Sequence, residues 1–328
     1  MITKPILIVA GEPYSIFLEI FFKSLKEKKI KKIKNPIILI CSKDLLIKQM
    51  KKLKYKFFIK NINKDNFHLI KLNNQRINLI DVNFKFKKPF DRITTKSKTY
   101  IENCIIVALD IIKKVKIKML INGPISKTHF LQKKFPGMTE YFAKKTSSKG
   151  KEVMLIFNKE LAVSPLTTHL PLKKIFKKVT KNNIIKHVKI INNFYKYNLK
   201  KKIKIGITGL NPHCETTDQY SEDEKILKPA VNKLRNNGIK AQGPIAADTI
   251  FLKDNSKKYD VIVGMYHDQV LTPIKTLYGF NAINITLGLP FLRVTPDHGT
   301  NNKMIGKNLS SPTSLIEAIL FSKNISDY

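Results

Sequence analysis

The chain has no tryptophan and only three cysteines, Cys41, Cys104 and Cys214, in 328 residues. They are scattered and form no CxxC pair, which argues against a disulfide framework or a zinc ribbon and points to a reducing, cytoplasmic setting. Arginine is nearly as scarce: Arg76, Arg92, Arg235 and Arg293 are the whole set. No apolar run is long enough to cross a bilayer. The start, Met1 to Gly11, is a short strand-like run into a turn, without the long apolar segment and small-residue cleavage site of a secretory signal. A GxGxxG fingerprint is also missing, because Gly11-Glu12-Pro13-Tyr14-Ser15 does not fit it, so an ordinary Rossmann site is not supported.

Lysine fills the space that these absences leave. Basic residues number 61 against 24 acidic ones, for a net charge of +37. Taken alone, that balance suits a nucleic-acid-binding protein or a membrane-surface protein, a rival reading from a different class. A dedicated nucleic-acid surface uses arginine forks and clustered aromatic residues. Here the lysines run along the whole chain, as from Lys23 to Lys34 and from Lys196 to Lys204, beside abundant Ile and Asn. We read the charge as compositional bias and expect no specific nucleic-acid partner and no membrane. It would still attract small anionic substrates.

Short apolar runs alternate with helical patterns. Pro5–Ala10, Pro36–Cys41, Ile77–Val82 and Lys118–Ile121 read as strands in the first half, and Ile16–Leu25, Lys43–Leu53 and Tyr100–Val115 as helices. In the second half, strands are expected at 153–157, 161–165, 202–209, 261–265 and 282–286, with helices at 184–197 and 222–234. Strands separated by helices imply parallel pairing and an α/β layered fold, and the length suits one large unit or two lobes sharing a cleft. In such folds ligands gather where strands end. The unusual polar residues follow Ile121, Leu210, Met265 and Leu289, which is where strands are expected to end.

Of the seven histidines, His68, His129 and His187 have unremarkable surroundings and read as surface or filler residues. His169, His213 and His267 each follow a strand-like run. Three neutral imidazoles from three strand ends suit one divalent ion with open positions for substrate, although a single such histidine is more often a hydrogen-bonded structural residue. His298, in Asp297-His298-Gly299-Thr300, is either oriented by Asp297 or part of a capped turn. Lys127, Lys275 and Arg293 lie beside turns suited to anion binding. Arg293 stands out in a chain so poor in arginine.

Several segments together resemble the family of 4-hydroxythreonine-4-phosphate dehydrogenase (PdxA), of vitamin B6 biosynthesis. They are 11–13 (GEP), 122–127 (NGPISK), 136–140 (PGMTE), 167–172 (TTHLPL), 209–213 (GLNPH), 247–251 (ADTIF), 259–269 (YDVIVGMYHDQ), 284–293 (NITLGLPFLR) and 297–300 (DHGT). They keep the family's order and span nearly the whole chain. The resemblance implies a two-lobed α/β/α layered fold like that of isocitrate and isopropylmalate dehydrogenases. A first lobe is expected from 1–128 plus 279–328, and a second, with the metal ligands and dimer contacts, from 129–278. It also implies a homodimer with active sites at the subunit interface. The family's metal ligands map onto His169, His213 and His267. Its substrate contacts map onto Met138, Thr139, Lys275, Asn284 and Arg293, with Asp248 a neighbour. Lys275 and Asp248 are the candidates, by position, for the catalytic proton acceptor.

The implied reaction is NAD- or NADP-dependent oxidation of 4-phosphohydroxy-L-threonine, assisted by a divalent ion. Zinc is the first choice, with magnesium, manganese or cobalt as alternatives. The β-keto acid product loses carbon dioxide to give 3-amino-1-hydroxyacetone 1-phosphate. Departures from the family pattern bear on the substrate. Met138 stands where the family has histidine, Tyr14–Leu18 replaces a glycine-rich stretch, and Cys214-Glu215-Thr216, Val270 and Asn301 replace family residues. They keep open the same reaction on another phosphorylated four-carbon acid, phospho-threonate or phospho-erythronate.

Overall fold

The structure is a computed structural model that describes residues 4–215, 220–279 and 282–325. Of the residues singled out above, Met1 and Thr216 lie outside that set. The chain divides into two compact units, one running up to Thr146 and resuming from Leu289, the other spanning Ser147–Gly288.

The first unit is built on strands β1 (Ile6–Val9), β2 (Ile37–Cys41), β3 (Ile59–Asn61), β4 (Ile77–Asp81), β5 (Met119–Asn122) and β12 (Leu292–Pro296). Their order is β3-β4-β2-β1-β5-β12, and every pairing is parallel. The sequences of β1 and β2 are unbroken apolar runs, and every residue of both is buried. That pattern belongs to strands covered on both faces. The helix Lys98–Val115 buries Ile101, Cys104, Ile105, Ala108 and Ile112 along one stripe, at the spacing of an amphipathic helix. It ends at Lys116, in the left-handed region, whose N–H caps Ile112 O.

The second unit holds β6 (Val153–Phe157), β7 (Ala162–Pro165), β8 (Ile205–Thr208), β9 (Ala241–Ile245), β10 (Val261–Gly264) and β11 (Ile283–Leu287), in the order β11-β6-β7-β10-β8-β9. Strands β7, β10, β8 and β9 are parallel. β6 runs antiparallel to both of its neighbours, which corrects the expectation of parallel pairing throughout. The reason is local: only a short loop joins β6 to β7, whereas a parallel step needs a crossover of a dozen or more residues.

The division between units falls after Thr146 and before Leu289, where 128 and 279 were expected. Phe130, Met138, Tyr141 and Phe142 pack into the first unit's core, which keeps the helix Met138–Lys145 with that unit. β11 pairs with β6 along its whole length, which keeps it with the second. Among the described residues, no helix is long and apolar enough to cross a membrane.

Candidate functional site

Because β7, β10 and β8 are parallel neighbours, their carboxyl ends open on one edge of the second unit. His169 follows β7, His213 follows β8 and His267 follows β10, so topology alone delivers the three imidazoles to that edge. The His169 and His267 rings lie 6.2 Å apart, centroid to centroid. His267 opens the helix His267–Tyr278, and its Nδ1 contacts Asp268 Oδ1 at 2.6 Å. His213 Nδ1 lies 3.2 Å from Asp248 Oδ2. Among the described residues, no three His, Cys, Asp or Glu side chains converge closely enough to hold a metal ion.

The donors nevertheless fit one in kind. A carboxylate can only accept a hydrogen bond from a neutral imidazole, so the contact with Asp268 puts the proton on Nδ1 of His267, and the Asp248 carboxylate beside His213 Nδ1 favours the same tautomer there. The Nε2 lone pair is then left for a metal, which is the arrangement by which carboxylates orient metal-binding histidines.

The loops that carry these histidines are held by side chains the sequence reading passed over. Gln269 Oε1 accepts from Thr208 Oγ1 at 2.8 Å and from Met265 N at 2.7 Å, while its Nε2 donates to Gly209 O at 2.7 Å. One amide thus ties the end of β8 to the turn before His267. Leu166 N donates to Gly264 O at 2.7 Å and Thr167 Oγ1 to Met265 O at 2.8 Å, which joins the His169 loop to the same turn. Asp223, fully buried, accepts from Leu210 N at 2.8 Å, Asn211 N at 3.0 Å and Asn211 Nδ2 at 2.9 Å. His213 and Cys214 both have positive φ, 55° and 58°, a conformation such residues rarely adopt unsupported. A Cβ at Gly209 would run into the Cys214 sulfur, so this turn needs glycine there. The signal for Asp223 was its rarity, an acid in the cluster Glu222-Asp223-Glu224 of a lysine-rich chain.

Lys275 sits half-buried on the helix His267–Tyr278, and burial pushes its ammonium below the usual lysine range. Asn284 lies on β11, in register with Ile156. Asp248 is exposed apart from its contact with His213. His187, read as surface or filler, is buried. Its Nε2 lies 2.7 Å from Ser164 Oγ, which itself donates to Met154 O at 2.5 Å. Nε2–H therefore donates to the serine, and desolvation holds His187 at about 4, so it stays neutral.

In the first unit, Met138 and Thr139 open the helix Met138–Lys145 and are buried. Arg293, on β12, is also buried, with its guanidinium 4.9 Å from the centre of the Phe142 ring. Burial pushes Arg293 down to about 9, opposed by the charge of Glu140, and it remains a cation at neutral pH. His298 Nδ1 lies 3.0 Å from Gly299 O, and Asp297 N donates to Ser314 Oγ at 2.7 Å, which favours the turn reading of that segment. Glu12, after β1, is a further buried carboxyl; it belongs to the family-like segment 11–13, but the sequence assigned it no role. Neither of its oxygens has a hydrogen-bond partner in good geometry. Burial raises it from 4.5 to about 7, with the Ser97 hydroxyl and the Tyr14 backbone pulling too weakly the other way.

Known proteins match this chain in sequence and in fold. The family described as pyridoxal phosphate biosynthetic protein PdxA matches residues 32–322. A 4-hydroxythreonine-4-phosphate dehydrogenase from Sulfurihydrogenibium sp. (strain YO3AOP1) is 38% identical over 316 residues, covering 95% of each chain. The solved structure of a putative 4-hydroxythreonine-4-phosphate dehydrogenase from Salmonella typhimurium superposes with a TM-score of 0.84 at 26% identity, covering 98% of this chain and 99% of that one. Isocitrate dehydrogenase from Methylococcus capsulatus, at 10% identity and a TM-score of 0.50, shares the fold over 98% of this chain and 86% of its own. With its family match spanning most of the sequence and a relative alike along nearly its full length, the chain belongs to the PdxA family of pyridoxal phosphate biosynthetic proteins.

Proposed function

We propose that the chain is a 4-hydroxythreonine-4-phosphate dehydrogenase. In this reading it oxidises 4-phosphohydroxy-L-threonine, and the β-keto acid decarboxylates to 3-amino-1-hydroxyacetone 1-phosphate. The observation that carries the reading is the full-length likeness to a relative of that name. NAD, or NADP, would be the hydride acceptor, and no residue is assigned to holding it. His169, His213 and His267 would hold the divalent ion, zinc before magnesium, manganese or cobalt, and the ion supplies stabilisation of negative charge developing on substrate oxygen.

The chain's own groups divide the remaining work. Asp268 and Asp248 hold His267 and His213 with Nδ1 protonated, so that Nε2 is the free donor atom. Arg293 and Thr139, with Lys275 and Asn284, are assigned to the substrate's anionic and polar groups. Burial leaves more of Lys275 neutral at a given pH than an ordinary lysine, and this favours it as proton acceptor over Asp248, which is engaged with His213. Leu172 (68% exposed) and Phe176 (58%) lie four residues apart just beyond His169, an apolar pair on a lysine-rich surface. They support the homodimer reading, with the interface close to the histidines. The high charge is assigned no nucleic-acid or membrane partner.

A second reading, the same chemistry on phospho-threonate or phospho-erythronate, rests on Met138, which cannot donate the hydrogen bond of the family's histidine. The test is NADH formation by purified protein with each phosphorylated acid, before and after chelation and zinc return, with metal analysis of the three His→Ala variants. We expect 4-phosphohydroxy-L-threonine to be the preferred substrate, activity to follow zinc, and each variant to lose metal. Preference for a phospho-acid would install the second reading. Full metal occupancy in all three variants would remove the histidine assignment.

A further inference from the structure

The first unit contains a concavity that the proposed reaction does not use. Its volume is about 680 Å³, within the range of small-molecule sites. Pro5 and Pro36, in its wall, immediately precede β1 and β2, and Val115 ends the helix that leads into β5. Phe67 and Leu72 come from the connection between β3 and β4. The concavity therefore lies at the amino ends of the parallel strands. Substrates of open α/β sheets gather at the carboxyl ends, where Glu12 and the Asn122–Lys127 segment lie in this unit. It is a separate place.

Its chemistry has two parts. The floor is apolar: Phe67 belongs to the core cluster, and Leu72 and Val115 pack against it. The rim is cationic: Lys4, Lys34, Lys71 and His68 line it, with no acidic residue among the described lining residues. Lys4 Nζ already reaches the Lys116 carbonyl at 3.4 Å, at the carboxyl end of the helix Lys98–Val115. That helix end disfavours an anion, but only by a fraction of the effect of full charges. The lysines give the rim a positive charge that would attract an anionic head, while an apolar body covers the floor.

We propose that this concavity is a second ligand site, for a small apolar molecule ending in a single carboxylate or phosphate group. The assignment is independent of the dehydrogenase reading, since none of its residues is placed in that machinery.

The test is calorimetric titration of the intact protein with octanoate and with phenyl phosphate, which separate a chain carboxylate from an aryl phosphate. Inorganic phosphate and 1-octanol serve as head-only and body-only controls. Saturable one-to-one binding of at least one of the two anions is expected, with both controls weaker by about tenfold or more. The pair Lys34→Ala/Lys71→Ala should weaken the bound anion by about tenfold, as losing charge-assisted contacts implies. Ile70→Trp, at an exposed position of the lining, should block it by filling the space without touching the charge. The pair Lys28→Ala/Lys29→Ala, with the same loss of charge on an exposed helix elsewhere, should leave binding unchanged. The proposal is overturned if neither anion binds, if the Lys28/Lys29 pair weakens binding as much as the Lys34/Lys71 pair, or if Ile70→Trp binds normally.

Discussion

In the unit that resumes at Leu289, Arg293 is only 4% exposed and is held against the face of Phe142. In the unit Ser147–Gly288, the His213 side chain keeps 71% of its surface in solvent and owes its place to bonds made by other residues. The first group is fixed by burial in a packed core, the second by tethers on loops. Burial fixes position at the cost of desolvating a charge. Tethers leave the ring free to meet a ligand, but concentrate the structural work in a few hydrogen bonds. The two designs should therefore fail differently when single side chains are changed.

The tether at Asp223 carries the largest expected effect. Its carboxylate satisfies three N–H groups of Leu210 and Asn211 while fully buried. Bonds to a charged partner are each worth roughly 1.5–3 kcal/mol and do not add fully. Asp223→Ala should cost about 4 kcal/mol in urea unfolding and weaken the proposed metal binding, while Asp223→Asn should recover part of both. A variant of wild-type stability would show that the loop is held by something else.

Burial without tethers is tested at Glu12. The folded state raises its carboxyl from 4.5 to about 7, so between those values the folded protein binds more protons than the unfolded one. Stability from this group is greatest below about pH 4.5, falls as pH rises to about 7, and is level above. At about 1.4 kcal/mol per pH unit, the loss is about 3 kcal/mol. Glu12→Gln should remove that slope and be the more stable protein at pH 8. Equal pH profiles for the two proteins would mean that Glu12 is ionised at little cost. His187 works in the opposite sense: lowered to about 4, it withdraws stability as pH falls below 6.5. The two slopes oppose each other over most of the same range, from about pH 4.5 to 6.5, and are separated by substitution: Glu12→Gln removes the one and leaves the other.

The sequence made one design more legible than the other. Strands such as β1, β2, β6 and β10 are continuous apolar runs, and the structure places them within a residue or so of the reading. β9 was passed over because Gly243-Pro244 interrupts it, and β12 because its alternation follows a Gly-Leu-Pro turn. The helix His267–Tyr278 was hidden by Pro273 in its interior. Histidines at strand ends could be read from local order. The partners of His187, Asp223 and Gln269 could not, because each is chosen by packing between segments distant in sequence, which leaves no periodic trace. Arg293 was legible only through scarcity.

For Arg293, burial should make the cation a strong anion partner in the proposed reaction. Removing one charge-assisted contact costs about 1.5–3 kcal/mol, or roughly ten- to a hundredfold. Arg293→Ala should lower kcat/KM for the phosphorylated substrate by that factor. Arg293→Lys should recover little, since lysine lacks the planar fork that stacks on Phe142. Unchanged kinetic constants in both variants would take Arg293 out of substrate binding.

The smallest expected effect is at Met138, one turn from Phe142 on the same helix. Methionine fills its buried position with a flexible apolar chain and a weak acceptor sulfur. Histidine there would add a donor and a partial charge near neutral pH, but would also bring a polar ring into the first unit's core, where Met138 packs. These effects oppose each other. If Thr139, Arg293 and the surrounding lysines already cover the lost contact, Met138→His should leave the preferred substrate unchanged and shift KM by no more than a fewfold, with kcat preserved. The measurement is kcat and KM for 4-phosphohydroxy-L-threonine and for phospho-erythronate in both proteins. If the natural protein ignores 4-phosphohydroxy-L-threonine and Met138→His gains it, then burial at this helix has been used to change the substrate. The comparison between the two units would then extend to specificity as well as to position.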